Sequence, residues 1–259
     1  TLPKENISAF AQGLEDYARE QYPSMPLLTL GVDTIVRLGE ATLDNAKQLE
    51  RLEPFGCGNP QPVLALVGAK VAKLVPMGKE GNHLRITLEQ DGISAQAVLF
   101  GTGPEYFPLE EGELADVAFV LSVNTFNGSQ RPQLRILSIR PHGFDMSGKL
   151  KTGAAYQSLR RGEEPEEPLT FNREDLTVVF RWLRRHTPWK KGTDLLAHRL
   201  GNSSSYGKVL AALDILCELG LISRKTQRGA ETIEVLPAAG KAELDASPTY
   251  RIFQEKLVN

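Results

Sequence analysis

The side chains that could do chemistry are cations, amides and one aromatic ring gathered in two glycine-containing segments. The segment "PMGKEGN" offers Lys79, and the segment "NTFNGSQR" offers Phe126, Asn127 and Arg131. Cations along a groove neutralise phosphates, and an aromatic ring gives a base a stacking platform that tolerates any sequence. These residue types therefore suit a nucleic-acid strand that is bound without sequence preference.

Two alternating segments add further polar candidates to this set. In "HLRITLEQ", His83 and Arg85 alternate with apolar residues, and Arg131, Gln133 and Arg135 alternate in the same way in "RPQLRIL". Alternation of this kind places the polar side chains on the outer face of a β-strand. We therefore expect these residues to line the same groove.

Several of these candidates also have an ordinary structural explanation. Lys79 could be an exposed turn charge, while Arg85 and Arg135 could be the solvated side of an amphipathic strand. His83 could be a hydrogen-bonded surface histidine, and Phe126 could be buried in a core. The sequence leaves both interpretations open for each residue.

Histidine and cysteine are too scattered to form a recognisable catalytic or zinc-binding motif. The four histidines lie far apart, at His83, His142, His186 and His198. Cys57 and Cys217 lack paired spacing, which argues against a disulfide framework and against a thiolate zinc site. We expect Cys217, within "LDILCELGLI", to be a small core residue.

Charge is distributed unevenly along the 259 residues, which carry a net charge of −2. Residues 1–50 contain 4 basic and 8 acidic side chains, whereas residues 170–259 contain 14 and 10. A uniformly basic nucleic-acid coat is excluded, but a basic C-terminal module is not. The apolar runs are too short to cross a bilayer, so we expect a soluble, cytoplasmic protein with no membrane partner.

The central part of the chain predicts a small β-barrel. Strands are predicted at residues 66–75, 83–90, 93–100, 114–125 and 131–140, with a short helical turn at "TGPEYFPL". Five strands with a short helix between the third and the fourth are typical of an OB fold, and another small barrel or sandwich is the alternative. We assign Phe100 and Phe119 to the core.

The first 50 residues predict a helix over residues 3–22, a strand over 27–33 and a second helix over 42–52. The first helix carries one apolar stripe, formed by Ile7, Phe10, Leu14 and Tyr17. These elements cannot enclose a core of their own. We interpret them as the tail of a domain whose body lies upstream.

The C-terminal part follows a linker predicted from the mixed glycine, proline and charge of residues 148–171. Three predicted helices and a hairpin with the turn "TQRGA" then match the order of a winged helix, a variant of the helix-turn-helix. A final helix is predicted at "SPTYRIFQEKL". Basic residues of the third helix and the wing could bind DNA or a protein partner: Lys208, Arg224, Lys225 and Arg228.

The stretch "RLEPFGCGNPQPVL" resembles the "LEPFGxGNPxP" signature of the bacterial RecJ family, single-strand-specific exonucleases of the DHH phosphoesterase superfamily. Three further blocks match in the same order: "GKEGNHLRI", "AVLFGTG" and "NTFNGSQRPQLRILSIRP". The segment "PKENISAF" resembles part of the family's DHH-associated domain. The resemblance covers roughly residues 1–143 and is weaker beyond them.

The resemblance implies a mixed α and β multidomain chain. Residues 1–50 would be the tail of an α/β DHH-associated domain and a connector helix, 51–143 an OB-fold domain, 144–169 a linker and 170–259 a winged-helix domain. The family's Asp-His-His triplet, which holds a divalent metal, Mn or Mg, does not occur in this sequence. We therefore expect a C-terminal portion with no catalytic residue, metal or cofactor of its own.

The function implied by the resemblance is part of a 5′ to 3′ single-stranded-DNA exonuclease that acts in DNA repair and recombination. The OB fold would guide single-stranded DNA, and the winged helix would dock the C-terminal tail of a single-strand-binding protein. The alternative is a stand-alone adaptor that joins an OB module to a winged helix without any enzyme.

The signature itself predicts a rigid turn after a helix. Gly56 and Gly58 could adopt positive φ, and Pro60 and Pro62 would fix the direction toward the first strand. We interpret this turn as a joint between domains. Asn59 is expected to stabilise the turn and is a minor candidate for contact with DNA.

Overall fold

The computed structural model describes residues 3–21, 29–227, 230–237, 240 and 242–258. The helices are α1 (Ile7–Gln21), α2 (Leu43–Glu50), α3 (Met146–Arg160), α4 (Arg173–His186), α5 (Thr193–Leu200), α6 (Tyr206–Glu218) and α7 (Pro248–Val258). The strands are β1 (Thr34–Ile35), β2 (Leu64–Met77), β3 (His83–Gln90), β4 (Ile93–Leu99), β5 (Leu114–Phe126), β6 (Ser129–Pro141), β7 (Ile222–Gln227) and β8 (Ala230–Val235). Short 3₁₀ helices lie at Lys4–Asn6, Leu38–Glu40, Pro104–Tyr106, Gly201–Ser203 and Leu244–Ala246.

Strands β2 to β6 close into a five-stranded barrel. Their order is β2-β3-β4-β6-β5, and β2 pairs back to β5, so the sheet has no free edge within this ring. The strand β2 reaches both neighbours because it bends at Gly68, whose φ is +69°, between two stretches of β5 pairing. The prediction of an OB fold is confirmed, including the short helix between the third and fourth strands.

Alternation along the strands fills the barrel. Leu84, Ile86 and Leu88 of β3 are fully buried, as their period of two predicts. Phe119 is also buried, as expected, but Phe100 is 52% exposed, so its assignment to the core is wrong. Phe100 follows the inward-facing Leu99 directly, and the next position of a strand faces outward.

The first 50 residues only partly follow the sequence-based expectation. Helices α1 and α2 are confirmed, and Ala46 of α2 is buried against the barrel. No strand occurs at residues 29–33, and residues 27 and 28 lie outside the described part of the chain. The two residues of β1 instead pair in parallel with the start of β2.

Helix α3 occupies most of the segment that was assigned to a linker. Its apolar period is hard to detect because it contacts α6 through small residues, with Gly153 beside the Tyr206 ring and Thr152 beside Gly207. Tyr156 is the main buried side chain of α3, with 1% exposure. The domain boundaries around this helix stay predictions.

Helices α4, α5 and α6 and the β7–β8 hairpin enclose a second apolar core. Val179, Leu183 and Leu196 are fully buried in it, and α7 adds Phe253. The predicted order of three helices, a hairpin and a final helix is therefore present. Cys217, in contrast, is exposed, because it lies beside the buried face of α6 rather than within it.

Three side-chain contacts join the barrel to the second core. The Arg199 guanidinium on α5 donates to both carboxylate oxygens of Glu113 and to the Pro108 carbonyl. The Lys190 ammonium lies 5.7 Å from the centre of the Tyr106 ring, and the His198 ring lies 5.4 Å from Phe144, centre to centre. Within the described ranges, no helix is long and apolar enough to span a membrane.

Candidate nucleic-acid interface

Three neighbouring strands place two arginines in one row on the outside of the barrel. Arg85 of β3 pairs with Val98 of β4, and Val98 pairs with Arg135 of β6. Paired residues share a face, and both arginines are exposed. Two strand spacings separate their backbones by about 10 Å, with the half-buried Val98 between them.

An aromatic pair lies near this row, at one end of β3. The His83 Nδ1 accepts a hydrogen bond from the Gly101 amide at 2.9 Å, and the His83 ring meets the exposed Phe100 ring edge to face at 5.3 Å. The hydrogen bond gives His83 a structural role, which agrees with its interpretation as a hydrogen-bonded surface histidine. Sequence reasoning missed Phe100, although strict alternation from Ala97 through Leu99 predicts that it faces outward.

The β5–β6 hairpin presents a second exposed aromatic ring. Phe126 pairs with Ser129, so Asn127 and Gly128 alone form the turn, with φ of 48° and 75°. Positive φ at both positions is the requirement of a tight type I′ turn, which asparagine and glycine meet most easily. Phe126 is 71% exposed, so its burial is excluded and the ring is free to stack.

The remaining candidates on the barrel lie outside the row of Arg85, Val98 and Arg135. Arg131 is exposed on β6 and Gln133 is half-buried. Lys79 is exposed in the turn between β2 and β3, and it makes no ion pair within the described part of the chain. The structure therefore brings Arg85 and Arg135 into one row, whereas Lys79 lies in a connecting turn.

The signature turn contacts the same side of the barrel. The Asn59 amide nitrogen donates to the carbonyls of Leu52 and Pro54 at 2.8 and 3.0 Å, which supports its expected role in the turn. The Gln61 side-chain oxygen accepts a long hydrogen bond from Arg135 at 3.4 Å. Neither Gly56 nor Gly58 has positive φ, so that part of the expectation is wrong.

The C-terminal candidates are largely occupied by carboxylates of their own fold. Lys208 pairs with Asp175 at 2.9 Å, and Arg224 pairs with Asp214 and Glu231 at 2.7 and 2.8 Å. Lys225 lies 3.7 Å from Glu234 and is exposed, and Arg228 lies outside the described residues. These cations form no group with the barrel candidates.

The described residues contain no group of three or more His, Cys, Asp or Glu side chains that could hold a metal ion. They therefore do not fit the divalent site that the resemblance implies for a catalytic core.

Comparison with known proteins agrees with the barrel. The sequence-family model of the RecJ OB domain matches residues 32–138. The single-stranded-DNA-specific exonuclease RecJ of Bacillus subtilis (strain 168) is 24% identical over 153 residues, which are 58% of this chain and 20% of that protein. The chain thus spans about a fifth of this relative's length.

Solved structures of RecJ from Thermus thermophilus, in complex with Mn²⁺ and with Mg²⁺, are each 25% identical and cover 54% of this chain. The chain covers 20% and 21% of them, with TM-scores of 0.43 and 0.42. Residues 32–138 are thus similar to the RecJ OB domain, and the chain is distantly similar to RecJ exonuclease over about half of its length.

Proposed function

We propose that this chain binds single-stranded DNA on the barrel as part of a RecJ-like 5′ to 3′ single-stranded-DNA exonuclease that acts in DNA repair and recombination. In this proposal the barrel guides the strand toward a metal-dependent catalytic core. The observation that carries the proposal is the row of Arg85, Val98 and Arg135 on the outside of the barrel.

The chemistry of this face suits a single strand better than a protein or a small molecule. Arginine presents a planar fork of donors that matches phosphate, and the row carries two arginines on strands whose backbones are about 10 Å apart. Phe100 and Phe126 are exposed by 52% and 71% and offer stacking surfaces to unpaired bases. A duplex hides its bases, so exposed rings gain more from a single strand.

The proposed role of the C-terminal unit is to dock a protein, such as the acidic tail of a single-strand-binding protein, through a winged helix. The order of three helices and a hairpin supports this role. The side chains of α6 favour a protein partner over base readout, because this helix holds no asparagine or glutamine and one lysine, Lys208. The alternative, a stand-alone adaptor, would use the same two surfaces without an attached nuclease.

The barrel proposal is tested with two variants and one fluorescent oligo-dT. Arg85→Gln with Arg135→Gln should lower the slope of log affinity against log salt concentration by about 1.4, because each single-strand phosphate contact contributes about 0.7. Phe100→Ala with Phe126→Ala should weaken binding by about 5- to 150-fold for each ring that stacks, with the slope unchanged. Affinity and slope equal to wild type in both variants would refute the proposal.

Lys70→Gln with Lys151→Gln is the matched control for charge. Both lysines are exposed and pair with Glu89 and Glu167, and neither belongs to the row. The docking role is tested separately, by binding of the full chain to a peptide with acidic residues and an apolar C-terminus and to duplex DNA. Binding to the duplex alone would reject docking and leave the barrel proposal standing.

A further inference from the structure

The C-terminal end of α4 carries several basic side chains, and no acidic residue lies close to them in the sequence. From Thr177 to Lys191 the chain contains no aspartate or glutamate. Arg181, Arg184 and Arg185 are exposed, and none of them forms an ion pair within the residues that the structure describes. Together with Lys190, these three arginines are called the α4 basic surface.

Helix geometry directs the three arginines to one side. At about 100° per residue, Arg184 and Arg185 lie about 60° and 40° to either side of Arg181. Leu183, on the opposite side, is fully buried in the second core. The guanidinium groups therefore share one solvent-facing arc of about 100°.

Local stability explains only part of this surface. Cations in the last turn of a helix offset its dipole, and Arg184 and Arg185 occupy that turn. Arg181 and Lys190 lie outside it. Other cations of the C-terminal unit, including Arg199, Lys208 and Arg224, pair closely with carboxylates. The α4 basic surface differs because its arginine charges remain exposed and unpaired in the described chain.

A short path connects the α4 basic surface with the barrel face. Phe100 lies six residues before Tyr106, so the chain between them spans at most about 20 Å. Tyr106 is 39% exposed, and its ring is in contact with the Lys190 ammonium. Tyr106 therefore lies within about 20 Å of Phe100 and contacts a cation four residues beyond the end of α4.

We propose that the α4 basic surface binds the phosphate backbone of the same single strand, beyond the nucleotides held on the barrel. The inference rests on the proposed function of the barrel, since it places both surfaces on one strand. Three of the four cations are arginines, whose planar forks bind phosphate oxygens in pairs. The exposed Tyr106 ring beside Lys190 favours a strand over an acidic protein segment, because it offers an unpaired base a surface for stacking.

The test compares oligo-dT of about 10 nucleotides, within the range held by one OB fold, with oligo-dT of about 30 nucleotides. The variant Arg181→Gln, Arg184→Gln, Arg185→Gln should bind the shorter oligonucleotide as wild type does. For the longer one, the slope of log affinity against log salt concentration should fall by about 2, since three phosphate contacts are lost at about 0.7 each. Its affinity should fall at least about tenfold in low salt.

The matched control removes three charges elsewhere, with Lys70→Gln, Lys151→Gln and Arg161→Gln. Replacing the three α4 arginines by lysine should restore part of the affinity, and thermal melting checks that both glutamine variants fold. If the α4 variant binds the longer oligonucleotide as well as the control does, the inference is wrong. It is equally wrong if a short Glu-rich peptide binds wild type but not the α4 variant, while DNA binding is the same for both.

The outcome is separable from that of the barrel proposal. Failure of the barrel proposal appears as wild-type binding of the shorter oligonucleotide by both barrel variants, Arg85→Gln with Arg135→Gln and Phe100→Ala with Phe126→Ala. Failure of the present inference appears as unchanged binding of the longer one by the α4 variant.

Discussion

Replacing Glu113 by glutamine tests how the barrel is joined to the C-terminal unit. The Glu113 carboxylate accepts hydrogen bonds from both terminal nitrogens of Arg199, and the Nη2–Oε2 distance is 2.7 Å. The two side chains are 31% and 24% exposed, so solvent screens them only in part. Because the residues are 86 positions apart, this pair links the two cores directly.

The expected loss follows from the charge that is left behind. Hydrogen bonds to charged groups contribute about 1.5–3 kcal/mol, and the glutamine oxygen can still accept one weaker bond. The Pro108 carbonyl also remains as a partner for Arg199. We therefore expect Glu113→Gln to destabilise the C-terminal unit by about 2 kcal/mol at neutral pH.

The pH dependence has a defined sign. The hydrogen bond from Arg199 lowers the pKa of Glu113 below its usual value of 4.5. A carboxyl whose pKa is lower in the folded state stabilises the fold above its unfolded pKa. That contribution is lost as pH falls below 4.5 through the folded value, and the glutamine variant should lack it.

Tryptophan fluorescence measures this effect selectively. Both tryptophans of the chain, Trp182 and Trp189, belong to the C-terminal unit, so urea unfolding followed by their emission reports on that unit. A double-mutant cycle of Glu113→Gln and Arg199→Gln should show a coupling energy of about 1–2 kcal/mol. The exposed Arg37–Asp91 pair of the barrel is the control, and Asp91→Asn should leave the tryptophan transition unchanged. A coupling energy near zero at pH 7 would refute the reasoning.

Two further predictions concern the α3–α6 contact. A Cβ on Gly207 would lie 2.2 Å from the Thr152 carbonyl oxygen, so Gly207→Ala should destabilise the C-terminal unit by about 2–3 kcal/mol in urea unfolding. Gly13→Ala in α1 is the control, because a Cβ at this position would have no atom within 4 Å, and the tryptophan transition should not change. Equal losses of stability in the two variants would contradict the packing argument. The Tyr156 hydroxyl donates a hydrogen bond to Asp214 at 2.7 Å, and burial raises the pKa of this tyrosine. Tyr156→Phe should therefore lower the free energy of unfolding by about 1–2 kcal/mol. The absorbance titration of the other tyrosines near pH 10 should not change. Loss of a group that titrates near pH 10 would show that this phenol is solvated.

The barrel was predictable because its signals are local. Alternation over β3 and the glycine-bearing turns at Gly78 and Gly128 specify strands and their connections without any knowledge of the rest of the chain. The identity of each strand's neighbour is not local. Only the observed register shows that Arg85 and Arg135 share a row through Val98.

The failures have physical causes of the same kind. Helix α3 contacts α6 through Gly153 and Thr152, so the apolar period that reveals a helix is nearly absent. Cys217 follows two buried residues of α6 and still faces solvent, because helical direction changes by about 100° per residue. The core assignment of Phe100 is wrong because it depends on residue type alone, and an aromatic residue is more often buried than exposed.

The net charge of the C-terminal part also has a different meaning once the ion pairs are known. The excess of basic residues predicts that Lys208 and Arg224 are available to a ligand, yet both form ion pairs with carboxylates of the same unit. The arginines of α4 contribute to the same excess, and their charges are available to a ligand. An attractive field requires cations that are not already neutralised at contact distance. A polyanion that approaches this unit should therefore meet α4 before α6 or the hairpin, which is the arrangement that the oligonucleotide length series tests.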